Sequence, residues 1–259
     1  MKHSGETTFA SWRSYWDFER SVRRELRYIH SEETQDFLDA VLASSRGREV
    51  DLPAGRTFWR AQLGNDWRRT GDEPTDEEVP CAHPRARMTP LPDRASDGRA
   101  NPRGIPCLYL ATSKETAMSE VRPWIGSYVS VGQFRTTRPL AIVNCTAERP
   151  TTPLHLEEPD ASGRSEAVWA HIDRAFAEPT TRSDDAADYV PTQIIAELFK
   201  RAGLDGIAYR SNFGGGFNLA LFDLAGAELV NCGLFEVDAM QPSFKEADQF
   251  YFISDMSRG

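Results

Sequence analysis

Apolar positions recur along this chain in two periods, and the alternation between them divides it into elements. From about Phe9 to Leu42 they return every three to four residues, the spacing of helices with one buried face. Trp12, Tyr15, Trp16, Val22, Leu26 and Ile29 predict a first helix, and Phe37, Leu38, Val41 and Leu42 a second, with a break near His30 and Ser31. The period shortens to two at Thr57–Ala61, Pro106–Ala111, Tyr128–Phe134, Leu140–Cys145, Gly206–Ser211, Asn218–Phe222 and Leu229–Val237, as expected of strands. A further strand is expected at Gln249–Ile253. Between them, Ala167, Val168, Trp169, Ile172, Ala175 and Phe176 predict one helix, and Ile194, Ile195, Leu198 and Phe199 another. Pro191 opens the latter, and Gly203 stands where a left-handed cap belongs.

The most informative run is Asn101–Arg122, NPRGIPCLYLATSKETAMSEVR. A strand with Cys107, Tyr109 and Ala111 on one face and Leu108 and Leu110 on the other leads at once into a helix. Thr112 with Glu115 reads as a capping box, and Pro123 limits the helix to about three turns. Glu120 falls on the border of the apolar face made by Ala117, Met118 and Val121, where a carboxylate is half buried. Such acids are either paired structural groups or site residues. Arg60, inside an apolar strand, has two readings as well. Its stem packs and its head reaches water, or the guanidinium points into a cleft to hold a phosphate or carboxylate.

The punctuating segments differ in character. Residues 64–98 are rich in Pro, Asp, Glu and Arg and read as a long surface insertion. Arg149–Asp160 and Glu178–Asp188 read as polar loops. Asn212–Gly216, with three glycines, is a tight connection between two strands; it lacks the Lys-Ser/Thr of a phosphate-binding loop and opens no helix, so its phosphate signal is weak.

Composition narrows the function classes. The net charge of -9 gives no electrostatic reason to expect direct nucleic-acid binding or an anionic membrane surface. No apolar run reaches the roughly 18 residues of a membrane span. Cys81, Cys107, Cys145 and Cys232 form no CxxC pair, and the N-terminus lacks the apolar core of a signal peptide, which together point to reduced thiols and a cytoplasmic location. Five histidines without clustered spacing argue against a metal.

Arg60 in FWRAQLG, Tyr109 and Glu120 in GIPCLYLATSKETAMSEVR, and Ser211 in DGIAYRSNFGGGFNLALFD together resemble the RES domain family, over roughly Thr57 to Phe222. The resemblance implies an α+β fold in which a split mixed sheet surrounds an NAD cleft, similar to bacterial ADP-ribosyltransferases. It implies a toxin of a toxin-antitoxin pair that consumes NAD+ as substrate with no separate cofactor, or one that transfers ADP-ribose to protein, and a helix-turn-helix antitoxin as partner. Residues 1–50 then form an N-terminal helical extension and residues 51–259 the catalytic domain. By type and place Glu120 would stabilise positive charge on the ribose, Arg60 hold a pyrophosphate or ribose oxygen, and Tyr109 stack on nicotinamide or bond the ribose. Ser211 would position the substrate, with Arg99 and Asn101 at the cleft rim. A non-catalytic interaction module is the reading of another class, and oligomeric state is left open.

Overall fold

The computed structural model describes residues 7–71, 77–92, 94–147, 157–178 and 186–240. The strand expected at Gln249–Ile253, residues 149–156 of the first polar loop and 179–185 of the second lie outside these.

The chain begins with α1 (Ser14–Arg24) and α2 (Glu32–Ser45). The first helix is shorter than its apolar pattern suggests: it ends with Arg24, Val22 is its last buried residue, and Leu26 and Ile29 lie beyond it in solvent. The chain there turns away from the core, so those two side chains have no apolar surface to meet. Ser31 starts α2 by accepting the Thr34 amide, satisfying one orphan donor of the first turn.

Strands β1 (Glu49–Leu52), β2 (Thr57–Leu63), β3 (Asp66–Arg69), β4 (Glu78–Cys81) and β5 (Leu108–Ala111) follow, with α3 (Arg85–Met88) between β4 and β5. Then come α4 (Lys114–Glu120), β6 (Tyr128–Thr136), β7 (Leu140–Asn144), α5 (Ala161–Ala177), α6 (Val190–Arg201), β8 (Gly206–Arg210), β9 (Phe217–Leu221) and β10 (Ala227–Glu236). The described part of residues 64–98 is more structured than a surface insertion. Strands β3 and β4 pair into a hairpin, Met88 is fully buried in a core, and the backbone of buried His83 donates to the Ser130 hydroxyl.

Eight strands form one mixed sheet in the order β1-β7-β8-β9-β5-β2-β6-β10. Strand β7 runs parallel to β8, with α5 and α6 in the connection; the other neighbours are antiparallel. The fold is therefore α+β around a mixed sheet. Its continuity changes sharply at one place. Strands β2 and β6 pair over seven positions and β5 and β9 over four, but β2 meets β5 through the single pair Trp59–Ala111. The sheet is thus two blocks joined by one rung.

Among the described residues, three apolar clusters form the core. The largest gathers Phe18, Phe37 and Val41 from α1 and α2 with Trp169, Ile172 and Phe199 from α5 and α6, over Ile207 and Tyr209. The opposite sheet face buries Phe58, Met88, Leu108, Phe134 and Leu219. A third, smaller cluster of Ala61, Ala111, Ala117, Val129 and Val131 seats α4 beside the parting. In α6, Pro191 occupies the first turn, and Gly203 at φ +87° turns the chain out.

Candidate active site

Where β2 and β5 part, a cleft of about 310 Å³ opens. Its walls include Trp59 and Arg60 from β2, Tyr109 from β5, Glu120 from α4 and Asn218 from β9, with Arg99, Tyr189 and Tyr209 also lining it.

Glu120 reaches the cleft because of how α4 starts and stops. Ser113 caps the helix, its hydroxyl accepting the Thr116 amide at 3.0 Å. The adjacent Thr112 is not the cap. Its hydroxyl accepts the Phe217 amide instead, tying α4 to β9, so the expected Thr112–Glu115 capping box does not form. Two neighbouring hydroxyls compete for the capping role, and Thr112 is already taken by the sheet. The helix is also shorter than three turns, spanning seven residues. Val121 ends it, and Arg122 adopts φ +47°, which reverses the chain before Pro123 acts. Glu120 is the last helical residue, half-buried, with its carboxylate turned to the parting.

Two donors fix that carboxylate. The Ser211 hydroxyl donates to Glu120 Oε1 at 2.6 Å and the Asn218 amide to the same oxygen at 2.7 Å. Ser211 is itself held, its oxygen accepting the amides of Phe213 and Gly214 at 3.2 Å each. Both donors address Oε1, and among the described residues no group bonds Oε2. Charge-assisted bonds of this length orient a carboxylate firmly. The glycine connection makes the approach feasible. A Cβ at Gly216 would sit 2.6 Å from Thr112 Oγ1 and 2.7 Å from Thr116 Oγ1, and one at Gly214 would sit 2.9 Å from Thr116 Oγ1. Glycine here lets the 211–217 segment lie against α4.

Arg60 occupies the gap left by the missing strand pairing. Its Nη1 donates to the Tyr109 carbonyl at 3.1 Å, while its Nε is buried without a partner. Burial brings its pKa down to about 10, because desolvation disfavours the charged form. Still cationic at neutral pH, it faces the cleft, and among the described residues no carboxylate forms an ion pair with it.

Tyr109 contributes its ring to the cleft, but its hydroxyl is occupied. It donates to Asn101 Oδ1 at 2.6 Å and accepts the Ala100 amide at 2.9 Å, and burial pushes its pKa well above the usual phenol value. Asn101 is 2% exposed and does not line the cleft. Its amide nitrogen donates to the Ser96 and Pro102 carbonyls, making it a fastener of the 96–102 loop. The same loop is pinned by the Gln193 side-chain amide, which donates to the Gly98 and Asn101 carbonyls. Arg99, next in the loop, does line the cleft. The structure therefore brings Arg60, Tyr109, Glu120, Ser211 and Arg99 together and leaves Asn101 behind the wall. It adds Asn218, which the sequence reading passed over. A lone amide in the apolar strand FNLAL was the available signal. Among the described residues no cluster of three His, Cys, Asp or Glu side chains could hold a metal, and no helix is long and apolar enough to cross a membrane.

A fixed carboxylate and an unpaired guanidinium across one parting can orient a polar, anionic ligand and stabilise positive charge developing near the acid. Comparison with known proteins gives a family. The RES domain model matches residues 58–236, a span that includes every residue lining the cleft. No curated protein matches the chain. Among solved structures, the crystal structure of the M. tuberculosis MbcT-MbcA toxin-antitoxin complex contains a similar chain, at 15% identity and a TM-score of 0.43, over 76% of this chain and 92% of that one.

Proposed function

From the premise that the chain belongs to the RES domain family, we propose that it cleaves the bond between nicotinamide and ribose in NAD+. One observation carries the reading: the Glu120 carboxylate, fastened through Oε1 by Ser211 and Asn218 and facing the cleft. As that bond breaks, both electrons leave with the nicotinamide nitrogen, which becomes neutral, and the ribose acquires oxocarbenium character. Oε2 of Glu120 is available to bond a ribose hydroxyl and to stabilise the cation. Because its orientation is set before substrate arrives, the carboxylate needs little reorganisation in the transition state. Arg60 takes an anionic oxygen of the substrate; leaving its Nε bare until then gives it a reason to prefer a ligand. Water, losing a proton, or phosphate then captures the ribose carbon. The role is that of a growth-inhibiting toxin neutralised by a helix-turn-helix antitoxin, the partner the family resemblance implies.

Purified protein is incubated with NAD+, with and without phosphate, and free nicotinamide is followed. Wild type is expected to release it, and Glu120→Gln to do so roughly 100- to 1000-fold more slowly, the usual loss for one preorganised electrostatic partner. Equal, slow release by both sinks the reading. Labelled NAD+ in a lysate distinguishes transfer, which leaves a labelled protein band.

A further inference from the structure

Arg99 and Tyr189 stand between the cleft and a neighbouring space. Both side chains also line a second cavity, of about 420 Å³, whose far walls include Trp16 of α1 and His171 of α5. Helix α1 precedes residues 58–236, so this chain builds that wall from sequence outside the family match.

The chemistry changes along the path. At the junction stands Arg99, whose Nη1 donates to the Ala175 carbonyl at 3.5 Å; among the described residues no carboxylate bonds it. The other two arginines of the cavity are occupied, Arg23 by Glu19 and Asp188, and Arg174 by Glu178. Beyond the junction the cavity is aromatic. Trp16 is 43% exposed, with its ring 4.6 Å from that of His171. His171 is 5% exposed, and its Nε2 has no hydrogen-bond partner. A bare imidazole nitrogen beside an exposed indole suits a flat heterocycle with polar edges, since a base stacks on an aromatic face whatever its identity.

We propose that this α1-walled cavity receives the adenosine half of NAD+, with adenine against Trp16 and the diphosphate passing Arg99. The proposal rests on the reading of the cleft as the site of nicotinamide release. The order of chemistries, carboxylate, cation and aromatic surface, matches the order of ribose, diphosphate and adenine in the dinucleotide.

The test compares kcat/KM for NAD+ with that for nicotinamide mononucleotide. The preference for NAD+ should fall about tenfold in Trp16→Ala, as expected for loss of one stacked base, and be largely restored in Trp16→Phe. Trp16→Gln at the same exposed position serves as a second variant with the same expected loss. Trp67→Ala, on the distant exposed hairpin, controls for removal of a surface indole and should change neither value. An unchanged preference in both Trp16→Ala and Trp16→Gln overturns the proposal. Should wild type cleave neither substrate, the proposed function falls, and calorimetry with AMP decides the cavity. Binding to wild type weakened about tenfold by Trp16→Ala upholds it; absent or equal binding overturns it.

Discussion

Arg60 and Arg210 are two buried-stem arginines on strands of the same sheet, and they have been given opposite surroundings. Arg210, at the end of β8, donates to the Ala147 carbonyl at 3.0 Å and lies 3.5 Å from Asp173, an acid only 3% exposed. Asp173 in turn accepts the Ala147 amide at 3.0 Å. Burial raises the Asp173 pKa, while that amide and Arg210 oppose the rise. Each charge there answers the other, and the cluster closes the turn after β7 onto α5. Both arginines leave a buried Nε without a hydrogen-bond partner, but Arg60 has one carbonyl and, among the described residues, no acid. An arginine with a partner holds structure together. One left wanting a partner, at an opening, is set for a ligand.

Methionine substitutions break that comparison most directly. Arg60→Met should lower kcat/KM for NAD+ about 100-fold, since charge-assisted bonds to the substrate are lost in a desolvated place. Its stability by urea denaturation should stay within about 1 kcal/mol of wild type, because the lost bond is offset by removing a buried charge. Arg210→Met reverses the pattern: roughly 2 kcal/mol less stable, with Asp173 left buried and unpaired, and turnover within a few-fold. The figure lies below that for a fully buried pair because a third of the Arg210 side chain reaches solvent. If Arg60→Met unfolds the protein while Arg210→Met does not, the assignment of roles is inverted.

Asn218→Ala sharpens the contrast by removing one of the two donors to Glu120. A lost bond to a charged group of about 1.4 kcal/mol corresponds to a roughly tenfold fall in kcat, read as nicotinamide release at saturating NAD+. The smallest effect concerns His171, a buried polar group with neither charge nor partner at Nε2. Burial first, and Arg174 second, depress its pKa from 6.5 to about 4. The unfolded chain therefore binds this proton before the folded one as pH falls. Stability contributed by the neutral ring is complete above about 6.5 and declines as pH drops toward 4. Urea melts at pH 7 and pH 5 should show a loss on the order of 1 kcal/mol that His171→Phe lacks.

Much of this was legible in the sequence, and the exceptions have physical causes. Alternation placed β2, β6, β7, β8 and β10 closely, because each buries one or both faces against a core. Glu120 stood out since an acid on the border of an apolar helical face is conspicuous. Its donors were harder to find. Ser211 and Asn218 lie 91 and 98 residues further on, and only the pairing of β5 with β9 brings them beside α4. Ser211 was reached through family resemblance; Asn218, with no motif of its own, was missed. The Thr112 cap failed because local spacing cannot reveal that a strand has already claimed that hydroxyl. Likewise, Leu26 and Ile29 fit a helical face whose surface has no neighbour, and the charge-rich 64–98 segment hid a buried methionine. The parting of β2 from β5 was invisible in principle: periodicity marks strands and is silent about which ones fail to meet.

That single rung between Trp59 and Ala111 has a consequence for how the cleft can be lost. A pocket lined by side chains can be plugged by one larger residue. An opening made by unmade backbone pairings closes only when the strands zip together along their length, and Arg60 stands in the way, its guanidinium already holding the Tyr109 carbonyl that a neighbouring strand would claim. The residue proposed to meet the ligand is also the doorstop.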